Sequence, residues 1–465
     1  MRKSLVLLAL LSGCSLAPTV TPPDLALTPA FKTEAPSASD VRWTPATSRE
    51  TEDRGAWWMM FGDPALDDLE RQALAANQTL KAASARVDQA RAAVRANGFG
   101  APSVDVGVNA VQSEAPGSGP SPLYSAGVSV SYEVDLFQRL RNSQTAFRLD
   151  ADAQAALYRH TVLALQADVA QTYFQLRALD AERVLLQGTV AIRREAQRIM
   201  QRRLDVGSVG ATDVSRTESE LAAATADLAA LERQRATLEN ALAILLGQNP
   251  SGYRFADAPL ADALPPFVPA GLPSELLLRR PDIASAQARM MAANRRIGVA
   301  KAAFFPSLML TASGGFASSS LGDVFKWSNA TWALGQTVGN ALMATLFDNG
   351  RRAGRVAGAE ASYAEALALY RQQVLVAMGD VENALSDQRL LADQVVALDR
   401  AAAATTRTTT LTRKRYDLGD ASHFEVVDAQ RAMLAANRAA IQARGQRQLA
   451  AIALVRALGG GWQKP

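Results

Sequence analysis

Two spacings of hydrophobic residues divide the chain. Tyr124, Ala126, Val128, Val130, Tyr132, Val134 and Leu136 alternate with Ser125, Gly127, Ser129, Ser131, Glu133 and Asp135. Upstream, Val104, Val106, Val108 and Ala110 alternate with Ser103, Asp105, Gly107 and Asn109. About ten alternating residues ending in aromatics is the pattern of a membrane-spanning strand, apolar to lipid and polar to a lumen. A soluble hairpin with one wet face carries the same alternation. Strands are predicted at about 102–113 and 123–136, with weaker counterparts at about 307–317 and 331–346.

Elsewhere the period is helical. Ala65 to Asn97 and Pro281 to Ala303 are Ala- and Arg-rich with apolar residues at helical spacing. From Arg139 to Leu204 only Gly188 interrupts the pattern, which amounts to on the order of 100 Å of helix. A turn at Val206-Gly207 leads into a second helix, about Thr212 to Leu246, and the same order returns at Arg351 to Tyr416 and Ser422 to Leu458. Large apolar residues are sparse on these helices. Long antiparallel hairpins with Ala-lined, coiled-coil-like packing fit better than a globular core.

Proline agrees with this division. No proline occurs between Pro122 and Pro250, or between Pro306 and Pro465, so both tracts are open to long regular elements. They also resemble each other. Arg203-Leu204-Asp205-Val206-Gly207 returns as Arg415-Tyr416-Asp417-Leu418-Gly419, and Asp168-Val169 as Asp380-Val381, each 212 residues on. The body therefore reads as an internal two-fold repeat: 63–250, a Pro-rich linker 251–273, then 274–460 and a tail 461–465. Each half carries a helix, two strands and a long hairpin (139–247 and 351–458).

The ends and the composition narrow the function. Arg2 and Lys3 precede an unbroken apolar stretch, Leu5 to Leu11, and then Leu11-Ser12-Gly13-Cys14. This is the layout of a secretory signal peptide, 1–13, and it resembles the lipobox in which the cysteine is lipidated and becomes the first mature residue. An ordinary signal peptide with a chance cysteine is the alternative. Ser15 follows the cysteine, where inner-membrane lipoproteins typically carry Asp, which favours outer-membrane sorting. Residues 14–62 read as a lipidated N-terminal anchor segment, rich in Pro, Thr and Ser up to about Thr51. One cysteine and two histidines, His160 and His423, leave no disulfide framework or Cys-clustered metal site. No metal and no cofactor are expected beyond the lipid on Cys14. With 49 basic and 45 acidic residues spread along the chain, nucleic acid is not an expected partner. After Leu11 no apolar run approaches a membrane-spanning helix. If the chain crosses a membrane, it does so with strands. Four strands cannot close a barrel, and an open edge in lipid is costly, so copies must share one. No catalytic constellation is present, and no enzyme is expected.

Several blocks resemble the TolC-like outer-membrane efflux channel family, in its lipoprotein (NodT-type) branch. They are Trp57-Trp58 with Phe61-Gly62-Asp63-Pro64, Leu278-Arg279-Arg280-Pro281-Asp282-Ile283, and Ile297-Gly298-Val299-Ala300-Lys301 through Phe304-Phe305-Pro306-Ser307. Phe347-Asp348-Asn349-Gly350-Arg351 and Tyr416-Asp417-Leu418-Gly419 with Asp428-Ala429-Gln430 extend the match. The resemblance implies a mixed α/β membrane protein, mostly α. Three chains would give four strands each to a twelve-stranded barrel, continued by a periplasmic α-barrel of helical hairpins. It implies a passive duct in the bacterial outer membrane, served by an inner-membrane efflux pump through a periplasmic adaptor. A lipid-anchored structural coiled-coil protein and a type I secretion exit channel are the competing readings.

The resemblance also locates sites. Glu425 and Asp428, three apart on a helix, share a face and match the family's acidic periplasmic aperture. Ser422-x-x-Glu425 is equally a capping-box pattern. Thr212 and Asp213 match positions that lock the closed aperture, with Tyr416 as their partner. Adaptor docking is expected at the hairpin tips, Val206, Gly207 and Ser208 with Leu418, Gly419 and Asp420. His160 reads as a solvated or interhelical residue, and His423 stands by the second tip.

Overall fold

The computed structural model describes residues 15–19, 31–32, 55–98, 100–114, 120–258, 260, 265, 279–334 and 348–460. Cys14, most of the linker and residues 335–346 of the expected fourth strand lie outside the described residues.

The helices are α1 (Pro64–Ala76), α2 (Gln78–Ala96), α3 (Arg139–Asp205), α4 (Ala211–Leu245), α5 (Pro281–Ala302), α6 (Arg351–Asp417) and α7 (His423–Ala457). The strands are β1 (Ser103–Ser113), β2 (Ser121–Val134), β3 (Leu308–Ser318) and β4 (Ala330–Leu334). Both α3 and α6 contain 67 residues, and both α4 and α7 contain 35. Gly188 does not break α3.

Compactness groups these elements differently from sequence similarity. One unit takes Arg86–Ala155 and Ser285–Gln372 with the start of the chain, and the other takes Ala26–Ala85, Ala156–Ala284 and Gln373–Pro465. Each unit thus draws on both halves of the sequence.

The first unit holds a four-stranded antiparallel sheet in the order β1-β2-β3-β4. Its register sorts the side chains. Val106 pairs with Val128, which pairs with Gly314, which pairs with Trp332; Val108, Ala126, Phe316 and Ala330 form the next apolar row. The alternate rows carry Ser103, Ser131 and Thr311, then Asn109, Ser125 and Ala317. One face is therefore apolar and the other polar or small. Gly315 lies on the small face, where a Cβ would come within 2.3 Å of the Ala126 carbonyl oxygen. Only glycine permits so close an approach of neighbouring strands. Acidic residues cap the starts of the two long helices. Asp135 accepts from the Leu140 and Arg141 amides, and Asp348 from the Arg352 amide.

The second unit is built on an apolar core of Trp57, Leu66, Leu69, Leu176, Leu242, Val381, Ile452 and Leu458, among others. Gly62 ends a short 3-10 turn with φ +64°, and Asp63 then caps α1 by accepting from the Ala65 amide, with Pro64 in the first turn. This accounts for the Phe61-Gly62-Asp63-Pro64 block. The helical spacing from Ala65 to Asn97 suggested one uninterrupted helix, and that reading is corrected: the helix breaks at Asn77. There the side chain accepts from the Leu80 amide, starting α2, and donates to the Leu245 carbonyl. A cap that also ties down the end of α4 outweighs the continuation of one helix.

The Arg280-Pro281-Asp282 block has an equally local reason. Arg280, buried, donates to Asp282, to Asp380 at 3.0 Å and to the Ala457 carbonyl at 3.0 Å. It fastens the start of α5 to α6 and to the end of α7. His160 belongs to the same neighbourhood. Burial lowers its affinity for a proton, opposed by Asp282 and Asp380 and reinforced by Arg280 and Arg456.

Candidate functional site: the hairpin tips and the sheet

The two hairpin tips are built alike. Gly207 and Gly419 take φ of +73° and +86°, the left-handed conformation that ends a helix at no Cβ cost. Beyond them the Ser208 amide donates to the Arg203 carbonyl at 2.8 Å, and the Asp420 amide to the Arg415 carbonyl at 2.9 Å. Both are the six-residue closure of a Schellman turn. Val206 and Leu418 point outward and remain almost four-fifths exposed. Each tip therefore presents one large apolar side chain next to a rigid turn.

The restarts differ. Gly210 begins α4 without a side-chain cap, whereas Ser422 and Glu425 form a complete capping box at α7. Glu425 Oε1 accepts from the Ser422 amide and hydroxyl, and Oε2 faces Arg415 at 3.8 Å. The Ser422 bonds, with Arg415 adding to them, hold this carboxyl below its ordinary range. Asp428 sits one turn further on and is exposed. Of the two acidic residues, Glu425 is committed to the helix start and Asp428 is not.

Residues of the first tip meet those of the second. The Tyr416 hydroxyl accepts from Arg203 at 3.0 Å, and the Tyr416 ring lies 5.8 Å from that of His423. No hydrogen bond among the described residues joins Tyr416 to Thr212 or Asp213. Asp213 acts on His423 instead: burial lowers the ring's proton affinity, Asp213 opposes this, and Arg203 and Arg413 reinforce it. Thr212 is exposed beside it. Nothing in the sequence by itself pairs Arg203 with Tyr416. Its signal there is positional, since Arg203 opens the repeated motif that Arg415 opens in the second half.

Above the tips, paired charges join α3 and α4 to α7. Glu220 lies between Arg193 and Arg431. Seven residues further along α4 and α7, and eleven back along α3, Arg438 meets Glu182 at 2.6 Å and Asp227 at 3.3 Å. Among the described residues, no group of three or more His, Cys, Asp or Glu side chains could hold a metal ion.

The sequence pattern of outer membrane efflux proteins matches this chain twice, over residues 69–248 and 272–460. The chain belongs to the outer membrane efflux protein family. Its family is one of transport ducts, not of enzymes, and its place is the bacterial outer membrane. Among its relatives is the cation efflux system protein CusC of Escherichia coli, 30% identical over 98% of this chain and 97% of that protein. The pyoverdine export outer membrane protein OpmQ of Pseudomonas aeruginosa is 34% identical over 91% of each. The solved outer-membrane channel OprN superposes with a TM-score of 0.82 at 29% identity, covering 97% of this chain and all of that one.

Proposed function

We propose that this chain is the outer-membrane exit duct of a tripartite efflux system, passively conducting small molecules from the periplasm to the exterior. The observation that carries the proposal is the sheet: one face runs apolar from β1 to β4, and among the described residues β1 and β4 each pair on one side only. An apolar face with open edges is untenable for a lone chain in lipid, where each unpaired backbone group costs several kcal/mol. Three copies contributing four strands each close it as a twelve-stranded barrel. The 67-residue helices, each on the order of 100 Å long, carry the duct through the periplasm. A general diffusion porin has no use for them.

Energy comes from an inner-membrane pump through a periplasmic adaptor, which docks on Val206, Gly207 and Ser208 and on Leu418, Gly419 and Asp420. Cys14 carries lipid as the first residue of the mature chain. The relatives are named for cargoes as unlike as cations and pyoverdine, which supports a duct whose pump chooses the cargo. The aperture lies at the tips. Asp428 supplies its free carboxylates, Glu425 supports the helix start behind them, and Tyr416 with Asp213 and Thr212 belongs to the closure.

Purified in detergent, the protein should give a native mass of three chains and a cation-selective conductance in planar bilayers. Asp428→Asn should lower the selectivity several-fold, whereas Glu425→Gln should leave it nearly unchanged because the amide still caps. A conducting monomer would overturn the trimeric duct, and unaltered selectivity in Asp428→Asn would remove that residue from the aperture.

A further inference from the structure

Gly298 is a glycine in the interior of a helix, four residues before the end of α5, where glycine is unfavourable unless something requires it. The requirement is visible. A Cβ at this position would stand 2.9 Å from the Ala17 amide nitrogen, from the Ala17 Cβ and from Asn142 Nδ2. Side-chain carbons do not approach other heavy atoms so closely, so the chain just after Cys14 lies directly on the bare backbone of α5. Asn142, on the first turn of α3, is 2% exposed. Its Nδ2 is 3.5 Å from Ser15 Oγ, which also accepts from the Ala17 amide at 3.3 Å. These contacts sit at the foot of the sheet. Asn142 follows the end of β2 at Val134 by eight residues, and Gly298 precedes the start of β3 at Leu308 by ten. The stacked rings of Phe137 and Phe305, 4.4 Å apart, join the same two connections.

We propose that Gly298 and Asn142 form a seat for the residues that follow the lipid-bearing cysteine. The seat fixes that end of the chain at the foot of the sheet, so that the acyl chains enter the bilayer beside the barrel. The inference rests on the reading of Cys14 as lipidated. The seat gives the glycine of the Ile297-Gly298-Val299 block a purpose that the duct itself does not supply. It also makes the anchor a fixed second attachment to the membrane. A lipid on a free tether would leave the N-terminal segment to diffuse over the inner leaflet.

The sign of one substitution separates seat from helix. Gly298→Ala favours α5 on propensity alone, yet its methyl group occupies the seat. A spin label on Thr19→Cys, an exposed position, reports on the segment in the full-length, detergent-purified protein. The label should be immobilised with Gly298 and Asn142 in place. It should pass to the fast-motion line shape in both Gly298→Ala and Asn142→Ala, while radiolabelled palmitate still enters Cys14 and the oligomer persists. Equal label mobility with and without Gly298→Ala and Asn142→Ala would overturn the seat, whatever the palmitate result. An immobile label with no palmitate in the wild type would overturn the lipid reading, leaving the contact as packing alone.

Discussion

Glu70 is the residue whose chemistry is most at odds with its surroundings. It is fully buried on α1, and neither carboxylate oxygen has a hydrogen-bond partner among the described residues. Burial, with Asp67 adding to it, pushes its pKa up to about 9. The folded protein therefore keeps a proton that the unfolded chain releases near its ordinary value. Below that value both states hold the proton, and nothing is lost. As pH rises towards 9, stability falls by about 1.4 kcal/mol per pH unit, a loss on the order of 3 kcal/mol by pH 7. Glu70→Gln removes this dependence, since the amide never ionises. Its thermal transition should match the wild type near pH 5 and exceed it by several degrees at pH 8. A wild-type stability that is flat across that range would show that Glu70 has a partner in the assembled protein. Glu425 teaches the opposite lesson, because its carboxylate is fully employed by Ser422 and Arg415 and is held ionised.

At the scale of elements, α3, α4 and α7 meet through leucine clusters such as Leu179, Leu186, Leu231 and Leu434, and also through small residues and paired charges. Gly445 faces Ala178 so closely that a Cβ there would lie 2.9 Å from the alanine methyl, and the rung of Glu182, Arg438 and Asp227 lies nearby. Glu182 is 3% exposed, so it depends on Arg438 and on Gln442 at 3.2 Å. Arg438→Ala should cost about 3–5 kcal/mol, because it strands a buried carboxylate. The double variant Glu182→Leu/Arg438→Leu should recover most of that loss, since it leaves no buried charge unpaired and Asp227 is half exposed to water. Chemical denaturation of the single and double variants measures both. If the single variant is silent, the rung contributes nothing to joining the hairpins.

At the scale of the whole molecule, the sheet commits the protein to a membrane. Val106 is 78% exposed on the apolar face, and its partner Val128 shares that face. Val106→Arg should cost about 2–4 kcal/mol near the bilayer midplane, whereas Ser129→Arg, on the polar face, should be tolerated. Detergent-resistant oligomer in the outer-membrane fraction is the readout, and equal yields from the two variants would mean that the faces have been assigned the wrong way round.

Much of this was legible in the sequence, because period and chain geometry are tied locally. Alternation over Tyr124 to Leu136 and helical spacing over Arg139 to Leu204 carry β2 and α3 to within three residues of their observed bounds. The turn glycines Gly207 and Gly419 announce the tips because only a left-handed residue ends those helices so sharply. The Ser422-x-x-Glu425 box could be read for the same reason, as both partners lie within four residues. Tertiary contact decided the rest. The break at Asn77 depends on the carbonyl of Leu245, and the Tyr416 hydroxyl answers to Arg203, more than two hundred residues away in sequence. In the sequence Gly298 is one letter of a family motif, and only the fold lays Ala17 on it. Spacing along the chain fixes what each segment can form, but a side chain's partner is set by whatever the fold brings within hydrogen-bond reach.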